Sequence, residues 1–182
     1  MNYIILDLEA TCWKDRSENM QNEIIEIGAV KINKNGIIEN EFSEFVKPIL
    51  NPILSDFCTE LTTIKQSEIN PADTYDIVVN RFKNWIDLRQ KFVLCSWGFY
   101  DKKQFIKDCD LHSLDKNWLA NHISLKHQYA KIKKLRKPIG MGGALKKEGL
   151  KLDGTHHRGI DDAKNIAKIF KAYFDAWRIE NN

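Results

Sequence analysis

What this chain of 182 residues lacks narrows its class before any motif is read. No apolar run approaches the roughly 18 residues that a membrane span needs. The N-terminus has neither the basic stretch nor the small-residue cleavage site of a secretory signal. A soluble, cytoplasmic protein without a membrane partner is expected. Cysteine is scarce: Cys12, Cys58, Cys95 and Cys109 stand far apart with no CxxC pair, which argues against a zinc site or a disulfide framework and for buried thiols. Cys95, inside FVLCSW, has the most core-like surroundings. No repeat or low-complexity linker divides the chain. With 43% hydrophobic residues and five Trp it is long enough for one filled core and short for two, so residues 1–182 are expected to be a single domain. Charge of neither sign dominates, and a net +3 permits a polyanionic partner without requiring one.

What is present is organised around the first stretch, YIILDLEATC at residues 3–12. Its apolar run predicts a central strand covered on both faces. Residues 23–33 and 37–46 predict two further strands around a turn at residues 33–36, giving an antiparallel meander. Residues 14–22 are polar and read as a loop bordering the strand end. Pro48 and Pro52 break the pattern, and residues 54–61 predict a short helix capped near Asn51 or Ser55. Residues 62–70 read as a connection. Helical periodicity follows over residues 74–88, a buried strand over 92–97, and a helix over 101–109. Residues 118–125 predict a fifth strand, 126–137 a basic run helical in its first half, 144–148 a short helix and 159–177 a closing amphipathic helix. The sum is an α/β protein with a mixed five-stranded sheet flanked by helices.

The chemistry-bearing residues lie where these elements begin and end. Asp7 and Glu9 alternate along the first strand and so project from one face, close enough to share a cation. Two carboxylates about 4 Å apart repel by roughly 4 kcal/mol at an effective dielectric of about 20. Acid-x-acid triplets nevertheless arise by chance about three times in such a chain, so the pair alone decides nothing. Asp101, in SWGFYDKKQF, opens a helix, where capping explains an acid equally well. THHRGIDDAKNIA places His157 five positions before Asp162 at the opening of the last helix, where the helix dipole favours an acid. Each residue has an ordinary structural explanation by itself. Together, four acids and one histidine at strand ends and helix starts mark the place where open α/β sheets build their sites.

At this point the chain resembles the DEDDh family of 3′-to-5′ exonucleases, which have the ribonuclease H-like fold. It is most similar to the ERI-1 branch, which includes the histone-mRNA exonuclease and bacterial KapD-like proteins. DLEATC carries the first motif through Asp7 and Glu9, WGFYD the second through Asp101, and HRGIDDAKNIA the third through His157 and Asp162. The stretches EIIEIGAV, LSDFCTELT and ADTYD also look like that branch. Of the adjacent pairs, only His157 with Asp162 keeps the family interval, which leaves His156 and Asp161 as solvated or supporting residues.

The resemblance implies two divalent cations, Mg2+ or Mn2+, held by Asp7, Glu9, Asp101 and Asp162. Clustered carboxylates suit these hard ions, which about 3.5 to 4 Å apart can flank a scissile phosphate. It implies His157 as general base, the backbone at Ala10 and Thr11 receiving the terminal 3′ hydroxyl, and Phe57 and Tyr100 clasping the last base. Phe57 also fits a helical apolar pattern, where it would be core. Tyr100 stands where the branch often has Trp, a change that preserves stacking. The implied partner is single-stranded or 3′-overhanging nucleic acid, RNA ahead of DNA, and the implied product a nucleoside 5′-monophosphate. A catalytically silent nucleic-acid-binding module of the same fold is the alternative. The run KHQYAKIKKLRK at residues 126–137 is either a solvated face or a contact for upstream phosphates. Eukaryotic members bind structured RNA through a separate N-terminal module, and because residue 3 already opens the first strand, stem-loop specificity is not expected.

Overall fold

The computed structural model describes residues 1–15 and 20–179. Its strands are β1 (Asn2–Ala10), β2 (Ile24–Ile32), β3 (Ile38–Phe45), β4 (Phe92–Ser96) and β5 (His122–Ser124), in spatial order β3-β2-β1-β4-β5. β1 to β3 pair antiparallel, whereas β4 and β5 add in parallel. The helices are α1 (Asp56–Thr62), α2 (Gln66–Ile69), α3 (Tyr75–Ile86), α4 (Tyr100–Leu111), α5 (Leu125–Ile132), α6 (Met141–Lys147) and α7 (Gly159–Ala172).

β1 is apolar because both of its faces are covered. Ile4, Leu6 and Leu8 enter one core with Val78, Phe82 and Phe105 of α3 and α4. Tyr3 and Ile5 enter a second core with Ile166 and Phe170 of α7, roofed by residues of α5 and α6. Burying each such Ile or Phe contributes about 1.5 to 3 kcal/mol. The period of two carries on past Ile5, so Asp7 and Glu9 face the α7 layer. A third, small cluster under α1 contains Ile25, Leu54, Cys58, Ile64 and Ile69. It is tied to the end of β1 by Ser55, whose hydroxyl donates to the Cys12 carbonyl at 2.6 Å and accepts from the Cys58 amide at 3.0 Å. Ser55 is thus the cap of α1.

Several boundaries differ from the sequence expectation. The connection at 62–70 contains α2, seeded by the Lys65 amide donating to the Glu68 carboxylate at 2.9 Å, a helix too short to show periodicity. The strand expected over 118–125 shrinks to β5, because Trp118 and Leu119 occupy a 3-10 turn (Asn117–Leu119). Their apolar character serves packing: Trp118 lies edge-on to Phe105 with ring centroids 5.1 Å apart. The closing helix ends at Ala172 rather than reaching Trp177, and a 3-10 turn (Phe174–Ala176) follows. Trp177 folds back and donates its indole N–H to the Phe170 carbonyl at 2.8 Å. Cys58, Cys95 and Cys109 are buried, Cys12 is only half-buried, and all four are unpaired. Of the loop expected over 14–22, residues 16–19 lie outside the described residues. Among the described residues, no helix is long and apolar enough to cross a membrane.

Candidate active site

Two glycines set the geometry of the site. Gly28 of β2 stands opposite Asp7 of β1 in the ladder, and a Cβ there would lie 2.0 Å from the carbonyl carbon of Gly159. A Cβ on Gly159 would in turn come within 3.1 Å of the Asp7 carbonyl oxygen. Bare backbone at both positions lets the first turn of α7 settle directly on the sheet. Asp162, one turn into that helix, therefore arrives over β1. Carboxylate oxygens of Asp7, Glu9 and Asp162 lie within 4.8 Å of one another. Glu9 and Asp162 are buried and Asp7 is half-buried.

Asp101 comes from the other strand of the parallel pair, at the same end of the sheet. β4 stops at Ser96, the backbone turns through Gly98 at φ 139°, and Asp101 is the second residue of α4. It is buried, and its Oδ1 accepts the Leu8 amide at 3.3 Å, which fastens the start of α4 to β1 between Asp7 and Glu9. The capping explanation for Asp101 falls away, because Phe99 occupies the cap position.

The electrostatics of this cluster are unfavourable to shared negative charge. Burial, then the neighbouring Asp101, Glu9, Asp162 and Glu26, raises Asp7 well above the usual carboxylate range. Glu9 is pushed up to about 8, by burial and then by Glu26 and Asp162. Burial raises Asp101 to about 6. Among the described residues no protein N–H or O–H donates to the carboxylates of Asp7 or Glu9. Unsatisfied hard oxygens, close together and reluctant to ionise, are a donor set that fits a divalent cation such as Mg2+ or Mn2+.

The two histidines meet Asp162 through different groups. His157 has φ 64°, a left-handed conformation, and its backbone amide donates to Asp162 Oδ2 at 3.1 Å. The side chain of exposed His156, not that of His157, meets the Asp162 carboxylate, with Nδ1 2.9 Å from Oδ2. The rings stack with centroids 4.0 Å apart, and one ring nitrogen of each lies within 4.8 Å of an Asp162 oxygen. Burial and then His156 lower the His157 pKa. Asp161 accepts the Thr155 amide at 2.8 Å and so shapes the turn before the histidines.

Three supporting residues escaped the sequence reading. Glu26, opposite Glu9 and almost wholly buried, accepts from Arg158 Nε at 3.1 Å and from the Gly159 amide at 2.9 Å. It takes up the free amide at the start of α7, where Arg158 offers no side-chain cap. Buried Asn165 donates to the carbonyls of Asp153 and Asp161 at 2.8 and 2.9 Å, pinning the histidine loop to α7. Glu23 accepts the amides of Ile49, Leu50 and Asn51, holding the segment before α1. The signal for Glu26 was its register beside Gly28, but that register exists only once β1 and β2 are paired.

Of the expected substrate contacts, Phe57 and Tyr100 are both exposed, so Phe57 is not the core residue that its apolar pattern also allowed. Thr11 is buried, its amide donating to the Glu23 carbonyl at 2.8 Å and its hydroxyl accepting the Glu23 amide at 2.9 Å. The carbonyl of Ala10 accepts from Cys58 Sγ at 3.8 Å. The middle of the basic run, His127 to Ile132, borders a concave surface that is not the carboxylate site.

Comparison with known proteins agrees with this arrangement. The family model described as Exonuclease (RNase_T) matches residues 4–170. This chain belongs to the exonuclease family. Within that family it is similar to ERI1 exoribonuclease 2 of Xenopus laevis, 38% identical over 91% of this chain and 27% of that protein. It is also similar to human 3'-5' exoribonuclease 1, 34% identical over 91% of this chain and 50% of that protein. The chain thus spans between about a quarter and a half of these relatives' length. Among solved structures it is similar to the nuclease domain of 3′hExo, a DEDDh family member bound to rAMP. That match has a TM-score of 0.91 and 32% identity, covering all of this chain and 96% of the other. The ribonuclease H-like fold extends to E. coli exonuclease I, with a TM-score of 0.79 at 11% identity, over 96% of this chain and 41% of that one.

Proposed function

We propose that residues 1–182 are a single exonuclease domain. It hydrolyses phosphodiester bonds from the 3′ end of single-stranded or short 3′-overhanging nucleic acid, RNA ahead of DNA, and releases nucleoside 5′-monophosphates. The observation that carries this reading is the meeting of Asp7, Glu9 and Asp162 within 4.8 Å, with no protein donor on the first two among the described residues. The names of the similar exoribonucleases, and the rAMP bound to the similar nuclease domain, support RNA as the substrate.

In this reading Asp7, Glu9, Asp101 and Asp162 would hold two divalent cations, Mg2+ or Mn2+. When bound, the cations supply Lewis-acid activation of water and neutralise charge on the leaving 3′ oxygen. His157 accepts the proton of the attacking water. Its lowered pKa keeps the imidazole neutral near pH 7, the form that can take a proton. Phe57 and Tyr100, both exposed, stack on the terminal base, a contact worth about 1 to 3 kcal/mol and tolerant of sequence. The backbone at Ala10 and Thr11 lies against the terminal ribose. Four unpaired thiols suit a reducing, cytoplasmic setting.

Incubation of 5′-labelled linear RNA with Mg2+ should give progressive shortening from the 3′ end and nucleoside 5′-monophosphates in solution. Circular RNA should survive, and the Asp7→Ala protein should leave linear RNA intact. Equal decay with wild type and Asp7→Ala, or cleavage of the circle, overturns the reading.

A further inference from the structure

A long concavity of about 1290 Å³ runs beside β5, the short edge strand of the sheet. It exceeds the roughly 300 to 1,000 Å³ of typical small-molecule sites. Phe99, the residue next to Tyr100, lines it. The exposed Phe99 ring lies 4.9 Å from that of His127 and 5.9 Å from that of His122. Lys131, Arg178 and, just before the start of β4, Lys91 also line the concavity. Among the described residues that line it there is no aspartate or glutamate. Arg89 at its far end is paired with Asp87 at 2.7 Å, but Lys91, Lys131 and Arg178 form no ion pair among the described residues. The wall opposite β5 is fixed: Gln128 of α5 donates to the Arg178 carbonyl and accepts the Arg178 amide, both at 2.8 Å.

We propose that this groove carries the nucleic-acid strand upstream of the nucleotide being removed. The inference rests on the exonuclease reading of the carboxylate site. Charge complementarity selects the occupant: three unpaired cations without a competing acid suit a run of phosphates, and exposed Phe99 with His127 offers ring faces to bases. Continuity supplies the direction, because the lining residue Phe99 directly precedes Tyr100. The five residues of β4 span roughly 16 Å, room for about five stacked nucleotides at 3.4 Å each. The basic run at residues 126–137 therefore acts through Lys131, on the groove side of α5, rather than as a uniform charged face.

The test is fluorescence anisotropy with 5′-labelled oligonucleotides of 2 to 15 residues in EDTA, where no metal-dependent cleavage shortens the probe. Affinity should rise with length to about six nucleotides, the terminal one plus about five in the groove, and then level off. The triple variant Lys91→Glu/Lys131→Glu/Arg178→Glu should bind the 15-mer at least about tenfold more weakly. Its log–log salt slope should be shallower by about 2, three contacts at about 0.7 each. The single variant Lys131→Gln, at an exposed position, should give a proportionate part of both changes if the triple variant is unstable to heat. Unchanged 15-mer affinity and slope in both variants overturns the groove, whether or not the wild type trims RNA. Displacement of the 15-mer by polyglutamate as readily as by unlabelled RNA of equal charge also overturns it. A wild type that never trims RNA but shows the length and charge dependence keeps the groove and removes only the exonuclease reading.

Discussion

The protein buries two sets of acids and treats them in opposite ways. Glu23, Glu26 and Asp108 are each satisfied by donors: three loop amides for Glu23, Arg158 and the Gly159 amide for Glu26, the Ile24 amide and Gln104 for Asp108. Each joins two segments distant in sequence. Asp7 and Glu9 lie on the same sheet, yet no donor among the described residues reaches their carboxylates, and burial and then the acids around them raise both. A buried acid with donors is a fastener, whereas a buried acid facing other acids is a site awaiting a cation. The separation is sharpest at the cross-strand pair Glu9 and Glu26, one unpartnered and the other held by two groups.

Substitutions should break this contrast in opposite directions. The largest effect is expected from Asp7→Asn, which should lower RNA trimming at least about 10²- to 10³-fold while raising the melting temperature in EDTA, because it removes a repelling charge. A lower melting temperature in EDTA would contradict this. Glu26→Gln should do the reverse to stability: it leaves half-buried Arg158 without its anion, at a cost of about 1.5 to 3 kcal/mol, or roughly 3 to 12 °C in a melt.

Next in size is the pH response. Glu9 in the folded protein keeps its proton up to about 8, whereas the unfolded chain releases it near 4.5. Between those values the unfolded state binds fewer protons, so the metal-free protein loses stability as pH rises through the window. Cations replace the proton, so the melting gain from Mn2+ should be near zero at pH 5 and several degrees at pH 8. Glu9→Gln should flatten the metal-free slope, and a slope of opposite sign would refute the assignment. The smallest effect is expected from Asn165→Ala, which frees the carbonyls of Asp153 and Asp161 at a cost of about 1 to 3 kcal/mol. Trimming by that variant should fall more than its melting temperature suggests, because the histidine loop loosens.

Much of this was legible in the residues. Alternation along YIILDLE placed Asp7 and Glu9 on one face, and periodicity located α3, α4 and α7 to within a few residues. The errors occurred where long-range packing overrides local pattern. Trp118 and Leu119 look like strand residues but serve as plugs against α4, and Trp177 looks like helix but caps its end from outside. His156 and His157 could not be told apart in their contacts, because a left-handed backbone at His157 decides which ring meets Asp162.

The order of strand, acid, strand, acid, helix, acid is written in the chain, since side-chain period and helix periodicity are local properties of consecutive residues. That three of those acids share a space within 4.8 Å is a product of the assembled sheet, where bare backbone at Gly28 and Gly159 lets a helix lie on a strand more than a hundred residues away in sequence. The same assembly decided which buried acids found donors, because Arg158 meets Glu26 only after β2 and α7 have packed.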